Sequence, residues 1–106
     1  MPKYLVEVQY SLDGAKGLMA EGGSSRVAAS KTLIESLGGS LETFYFAFGE
    51  ADAYIIADMP DNVSAAAAAL AARASGGVVS RMVVLLTPAE VDAATKKPGN
   101  YRPPGA

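Results

Sequence analysis

The sequence predicts one α+β domain over residues 1–106, of ferredoxin-like βαββαβ type: a four-stranded antiparallel sheet with both main helices on one face. Three observations predict it. The opening residues alternate with a period of two. Two later segments carry helical signals and end on Gly-Gly. Between them, an aromatic run and an isoleucine-bearing run are joined by a short Gly-containing link, as in a hairpin.

Lys3 to Tyr10 places Tyr4, Val6, Val8 and Tyr10 on one side, with Lys3, Leu5, Glu7 and Gln9 on the other. Ser11 to Gly14 supplies turn and cap residues, and Ala15 to Glu21 reads as a short helix with Leu18 and Met19 as its apolar contacts. Gly22-Gly23 interrupts it. Ser24 or Ser25 is suited to cap the next helix, Arg26 to Leu37, which carries Val27, Leu33, Ile34 and Leu37 and stops at Gly38-Gly39.

Leu41 to Gly49 is the second strand, with Leu41, Thr43, Tyr45 and Ala47 on one face and Glu42, Phe44, Phe46 and Phe48 on the other. Gly49-Glu50-Ala51 links it to Asp52 to Met59, where Ile55 and Ile56 point opposite ways. Pro60-Asp61-Asn62 starts a helix with Asp61 as N-cap, running to about Ser75 before Gly76-Gly77. Asn62-Val63-Ser64 has the form of a glycosylation triplet, but it reads here as helix-start chemistry. Val78 to Thr87 is the last strand. Ala89 to Lys97 forms a terminal helix whose acidic residues lie early and whose lysines lie late, and residues 98–106 form an extended tail.

The central strands are apolar on both faces, whereas a sheet solvated on one side should be apolar on the other only. The second face therefore needs a cover. In so short a chain the expected cover is another copy, giving a homodimer or higher homo-oligomer. The tail is expected to take part. Tyr101 supplies an aromatic anchor, and an extended tail of this length reaches about 28 Å, far enough to dock on a partner's body.

Composition excludes more chemistry than it supports. Half the residues are hydrophobic, but twenty are alanine, so helices must lie close to the sheet to bury a modest core. Nine basic against eleven acidic residues give net −2, which speaks against nucleic acid as a partner. No His and no Cys are present, which removes His- and Cys-built metal centres, His- or Cys-ligated haem, disulfides, His triads and cysteine nucleophiles. No cofactor and no metal are expected. The N-terminal residues carry no signal-peptide-like run and no stretch is long enough to span a membrane, so a cytoplasmic location is expected.

Several residues offer chemistry, each beside a plainer role. Gly17 to Ser24 has P-loop spacing, but Gly23 stands where the lysine belongs and the segment before it reads as helix, so it reads as a break between helices. Glu50, Asp52, Asp58 and Asp61 are acidic, yet Asp52 and Asp58 should lie roughly 20 Å apart along one strand and cannot share a site. Turn formation and helix capping account for them. Asp52 and Tyr54 are the catalytic candidates, as an acid–base carboxylate and phenol. Tyr10, Phe46, Phe48, Tyr54 and Arg81 are the ligand-binding candidates. Tyr and Phe supply apolar walls and a hydrogen-bonding tip, and Arg81 interrupts an apolar strand either as an exposed ion-pair partner or as an anion holder. Arg26 is a second candidate anion holder if it faces the Gly22-Gly23 break.

Beyond element order, many phrases resemble the GYD domain family of small bacterial proteins. They include Lys3-Tyr4-Leu5-Val6, Gly22-Gly23-Ser24, Leu33 to Gly39, Phe44 to Gly49, Asp58 to Asn62, Leu85 to Asp92 and Tyr101 to Gly105. Together these cover nearly the whole chain. Gly49 and Asp52 match the Gly and Asp of the family's name, while Ala51 stands at the place of its tyrosine. The resemblance implies a relative of the dimeric α+β barrels, in which two ferredoxin-like sheets pack face to face. That wider group includes cofactor-free monooxygenases, isomerases, haem enzymes and effector-binding regulators, and fold alone does not choose among them.

The expectation is a homodimer that binds a small aromatic or oxygenated molecule between sheet and helices. The alternative is a cofactor-independent monooxygenase or isomerase acting on such a compound. A subunit with a purely structural role is the third reading, favoured if the space between sheet and helices is solidly filled.

Overall fold

A computed structural model describes all 106 residues. Its elements run β1 (Lys3–Tyr10), α1 (Leu12–Glu21), α2 (Gly23–Ser36), β2 (Ser40–Phe46), β3 (Ala53–Asp58), α3 (Asn62–Ala74), β4 (Val78–Leu85) and α4 (Pro88–Thr95). The four strands form one antiparallel sheet in the order β2-β3-β1-β4, so the ferredoxin-like arrangement holds, with β1 and β3 in the middle.

Register fixes which side chains share a face. Tyr4, Val6 and Val8 lie opposite Ala57, Ile55 and Ala53 on β3, and opposite Val84, Met82 and Ser80 on β4. This face receives the helices. The core cluster joins Tyr4, Val8, Ala53, Ile55 and Ala57 to Ile34 of α2 and to Ala65 and Ala68 of α3. Fully burying a side chain such as Ile55 contributes about 1.5–3 kcal/mol. The two core alanines of α3 let its backbone settle close to the sheet, and Asp61 caps it by accepting from Ser64 N–H at 2.7 Å. At the same end of the molecule, Tyr4 donates its buried hydroxyl to the side-chain oxygen of Asn62.

The structure corrects the sequence reading at several boundaries. Helix α1 begins at Leu12 rather than Ala15, because Ser11 caps it by accepting from Gly14 N–H at 3.1 Å. Helix α2 begins at Gly23 rather than Arg26, and neither Ser24 nor Ser25 caps it. The chain turns between the two helices at Gly22, whose φ of 85° suits glycine and strains other residues. Strand β2 ends at Phe46 rather than Gly49, and β3 starts at Ala53. Their link is a longer loop, closed by Ala47 N–H donating to Asp52 carbonyl at 2.9 Å. Strand β4 ends at Leu85 because Thr87 turns out to be the cap of α4. Thr87 accepts from Glu90 N–H while Glu90 accepts from Thr87 N–H.

One correction bears on which face is which. A bulge between Leu41 and Thr43 breaks the simple alternation of β2. Leu41, opposite Ala57, and Phe44, opposite Ile55, both take the helix face, while Thr43 and Tyr45 take the open one. Glu42 there reaches Lys3 at 2.9 Å, and Lys3 also meets Asp58 at 3.1 Å.

From Leu86 to Ala106 every residue is exposed, and the molecule measures 57 × 32 × 22 Å. Tyr101 is 68% exposed, so within its own chain it does not pack on the body. No helix is long and apolar enough to cross a membrane.

Candidate functional site

Between the helix face of the sheet and the helical layer lies a cleft of about 410 Å³. Its floor is the β1 row Val6, Val8 and Tyr10 with Met82 of β4, and its walls are Leu18 of α1, Leu33 of α2 and the alanine side of α3. Two local features of the sequence open it. On α3 the residues facing the space are Ala68, Ala69, Ala71 and Ala72, whose methyl groups leave unfilled the volume that leucines would occupy. The Gly22 turn lets α1 and α2 bend around the far end instead of continuing as one straight rod. The cavity lies in the range typical of small-molecule sites and is lined mainly by apolar side chains.

Apart from the Tyr4 phenol, the polar groups that carry charge or a phenol stand together near the end of β1. Tyr10, Glu21 and Arg26 all line the cleft, and Arg26 Nη1 donates to Glu21 Oε1 at 3.2 Å. Burial raises the Tyr10 phenol above its ordinary pKa, while the positive charge of Arg26 pulls it back only in part. The phenol thus stays protonated at neutral pH and acts as a hydrogen-bond donor. Its backbone is fixed from behind, since Tyr10 N–H donates to Asp52 Oδ2 at 2.8 Å.

Of the ligand-binding candidates, the structure places only Tyr10 in the cleft. Phe46 lies on the helix face at its edge, 5.0 Å from the Phe44 ring between centroids, and covers the start of α2. A Cβ on Gly23 would come within 2.9 Å of that ring, so glycine there permits the contact. Phe48 is fully exposed in the loop after β2. Tyr54 and Arg81 belong to the open face, where Arg81 pairs with Glu7 at 3.6 Å. Arg81 therefore does not face the Gly22-Gly23 break, whereas Arg26 does.

The catalytic candidates do not converge either. The Asp52 carboxylate is bound to a main-chain amide, and the Tyr54 phenol lies on the other side of the sheet. The remaining acidic residues have separate partners, Asp58 with Lys3 and Asp61 with Ser64. Ala51 is buried and brings no phenol to the hairpin. Sequence reasoning missed Glu21, Phe44 and Met82 as cleft residues. The signal for Met82 was available in the alternation of β4. That for Phe44 was available as well, since alternation sets it on the same face as Phe46; the bulge displaces Leu41 instead.

The family model described as GYD domain matches residues 4–95. No curated protein and no solved structure matches the chain.

Proposed function

The chain belongs to the GYD domain family, and on that footing we propose that it is a cytoplasmic homodimer that binds a small, largely apolar molecule between sheet and helices. The carrying observation is the unfilled cleft of about 410 Å³. Close packing leaves few voids larger than a water molecule in a protein interior, so a space this size in so small a domain points to an occupant rather than to loose packing. A subunit with a purely structural role would have no reason to keep it.

The dimer rests on the opposite face. Leu5, Tyr45, Tyr54, Ile56, Val79 and Val83 share it, and Tyr45 is 69% exposed. The ion pairs of Lys3 with Glu42 and Asp58 close one end of this face, and Arg81 with Glu7 forms a charged row between Leu5 and Val79. Exposed apolar and tyrosine side chains gathered on one uncovered sheet face mark an interaction surface.

A catalytic reading draws on one observation, the protonated Tyr10 phenol beside an Arg–Glu pair inside an apolar cleft. In that case Tyr10, rather than Asp52 or Tyr54, is the proton donor. Native mass spectrometry of the purified protein tests the binding reading. Wild type should carry a small organic molecule that an Ala72→Met variant, with its cleft partly filled, lacks. An unliganded wild type that also fails to bind any hydrophobic probe would overturn it.

A further inference from the structure

The polar end of the cleft specifies what kind of oxygen its occupant carries. Arg26 is not a free cation: its Nη1 is engaged by Glu21 at 3.2 Å, and the two charges balance. The guanidinium retains N–H groups beyond that bond, because five donors project from its plane. Tyr10 adds a hydroxyl donor from the adjacent strand. The result is a set of donors with no net charge, at one end of a cavity whose lining is mostly apolar, Val6, Val8, Leu33 and Met82 among it. A carboxylate placed there would stand beside the Glu21 carboxylate, whose charge already balances Arg26. Removing an ion from water is costly unless an uncompensated opposite charge receives it. A carbonyl oxygen meets no such opposition and needs only the donors.

We propose that the cleft selects an uncharged apolar molecule bearing one carbonyl-type oxygen, a ketone, quinone or lactone, held with that oxygen toward Tyr10 and Arg26 and its hydrocarbon body toward Tyr4. This rests on the reading of the cleft as a ligand site and adds the chemistry of the head group. The orientation follows from the layout. Tyr10 and Arg26 stand where α1 turns into α2, and the Tyr4 end of the same row is closed by Met59 and Ala57, both buried. The hydroxyl of Tyr4 is already committed to Asn62, so the deep end offers no donor to compete for the ligand oxygen.

The test is a calorimetric titration of the full-length protein with three probes of similar size: tetralone, tetralin and 1-naphthoate. Tetralone should bind about tenfold more tightly than tetralin, the factor expected from one retained hydrogen bond in an apolar site. It should also bind more tightly than naphthoate. In Tyr10→Phe, which keeps the ring and removes the hydroxyl, the preference for tetralone over tetralin should narrow while tetralin affinity stays unchanged. Equal affinities of tetralone and tetralin in wild type would overturn the head-group assignment and leave the apolar cleft standing. Tightest binding of naphthoate would also overturn it, by showing that Arg26 exchanges Glu21 for a ligand anion. Binding of none of the three would remove the ligand site itself and this inference with it.

Discussion

The Asp52 carboxylate accepts the main-chain N–H of Tyr10 at 2.8 Å, and the N–H of Asp52 itself donates to the Val8 carbonyl at 2.7 Å. The loop after β2 is thereby fastened to the end of β1, beside the phenol that stands in the cleft. Asp52→Ala leaves the Tyr10 amide without its acceptor and should cost about 1–3 kcal/mol in urea denaturation. Asp52→Asn keeps an acceptor and should recover most of that loss. Equal midpoints for wild type and Asp52→Ala would show that the clasp contributes nothing.

Filling the cleft should separate stability from binding. Ala72 faces the space from α3. In Ala72→Met the added side chain enters volume now empty and gains about 0.8 kcal/mol per buried methylene. The melting temperature of the ligand-free protein should therefore hold or rise, while hydrophobic probes lose affinity by at least tenfold. A marked destabilisation would mean that the helices already collapse onto the sheet in solution.

Tyr45 and Phe46 are neighbours in sequence and point to opposite sides of β2. Tyr45→Lys puts a charge on the open face and should yield a folded monomer by light scattering. Phe46→Lys instead withdraws the ring that covers Gly23 and should lower the melting temperature without abolishing association. A dimer of this kind should bury well over ~1,200 Å². Wild type that is monomeric at micromolar concentration, or a dimeric Tyr45→Lys, would count against the sheet-to-sheet arrangement.

How much was legible in the chain depended on how local the cause was. Strand β1 could be read residue by residue, because a period of two and a single buried row leave one solution. The Asp61 cap was equally plain, since Asp before an alanine-rich run has one obvious task. The site was less legible. Its lining comes from seven separate elements, and its volume results from what α3 lacks rather than from any motif. Aromatic residues drew attention to Phe48 and Tyr54, yet Phe48 falls in a loop and Tyr54 on the open face. The ten buried residues include five alanines, so burial itself was carried by residues with little sequence signal.

Acid should reveal the Asp61 cap. Hydrogen bonding from Ser64 holds its carboxyl below the usual range. A carboxyl whose pKa is depressed on folding stabilises the native state above its unfolded pKa, near 3.9, and loses that contribution as pH falls through the lower native value. Asp61→Ala should therefore melt below wild type at pH 7, and the gap should close below about pH 4. Asp61→Asn, an equally good cap with no proton to take up, should melt close to wild type at neutral pH. A gap that stays constant down to pH 2.5 would assign the effect to something other than the carboxylate.

Removing the C-terminal tail should weaken association and leave the single chain unharmed. From Leu86 onward no residue is buried, so deletion of residues 98–106 takes nothing from the core. Helix α4 has a complete capping box at Thr87 and Glu90, although isolated helices of its length are marginal in water. Beyond it, Tyr101 holds a large apolar surface in solvent, and Pro103 and Pro104 restrict the backbone and so lower the entropy lost on docking. A stretch of this kind extends about 28 Å, enough to reach across a dimer. The shortened protein should dissociate at a higher concentration than the full chain in analytical ultracentrifugation. In the Tyr45→Lys background, where no partner is present, the same deletion should leave the melting temperature unchanged. Tyr101→Ala should reproduce most of the weakening, which would place the contact on the ring rather than on the extra chain length. If the shortened protein associates as the full chain does, the tail is a solvated end and the dimer is held by the sheet alone.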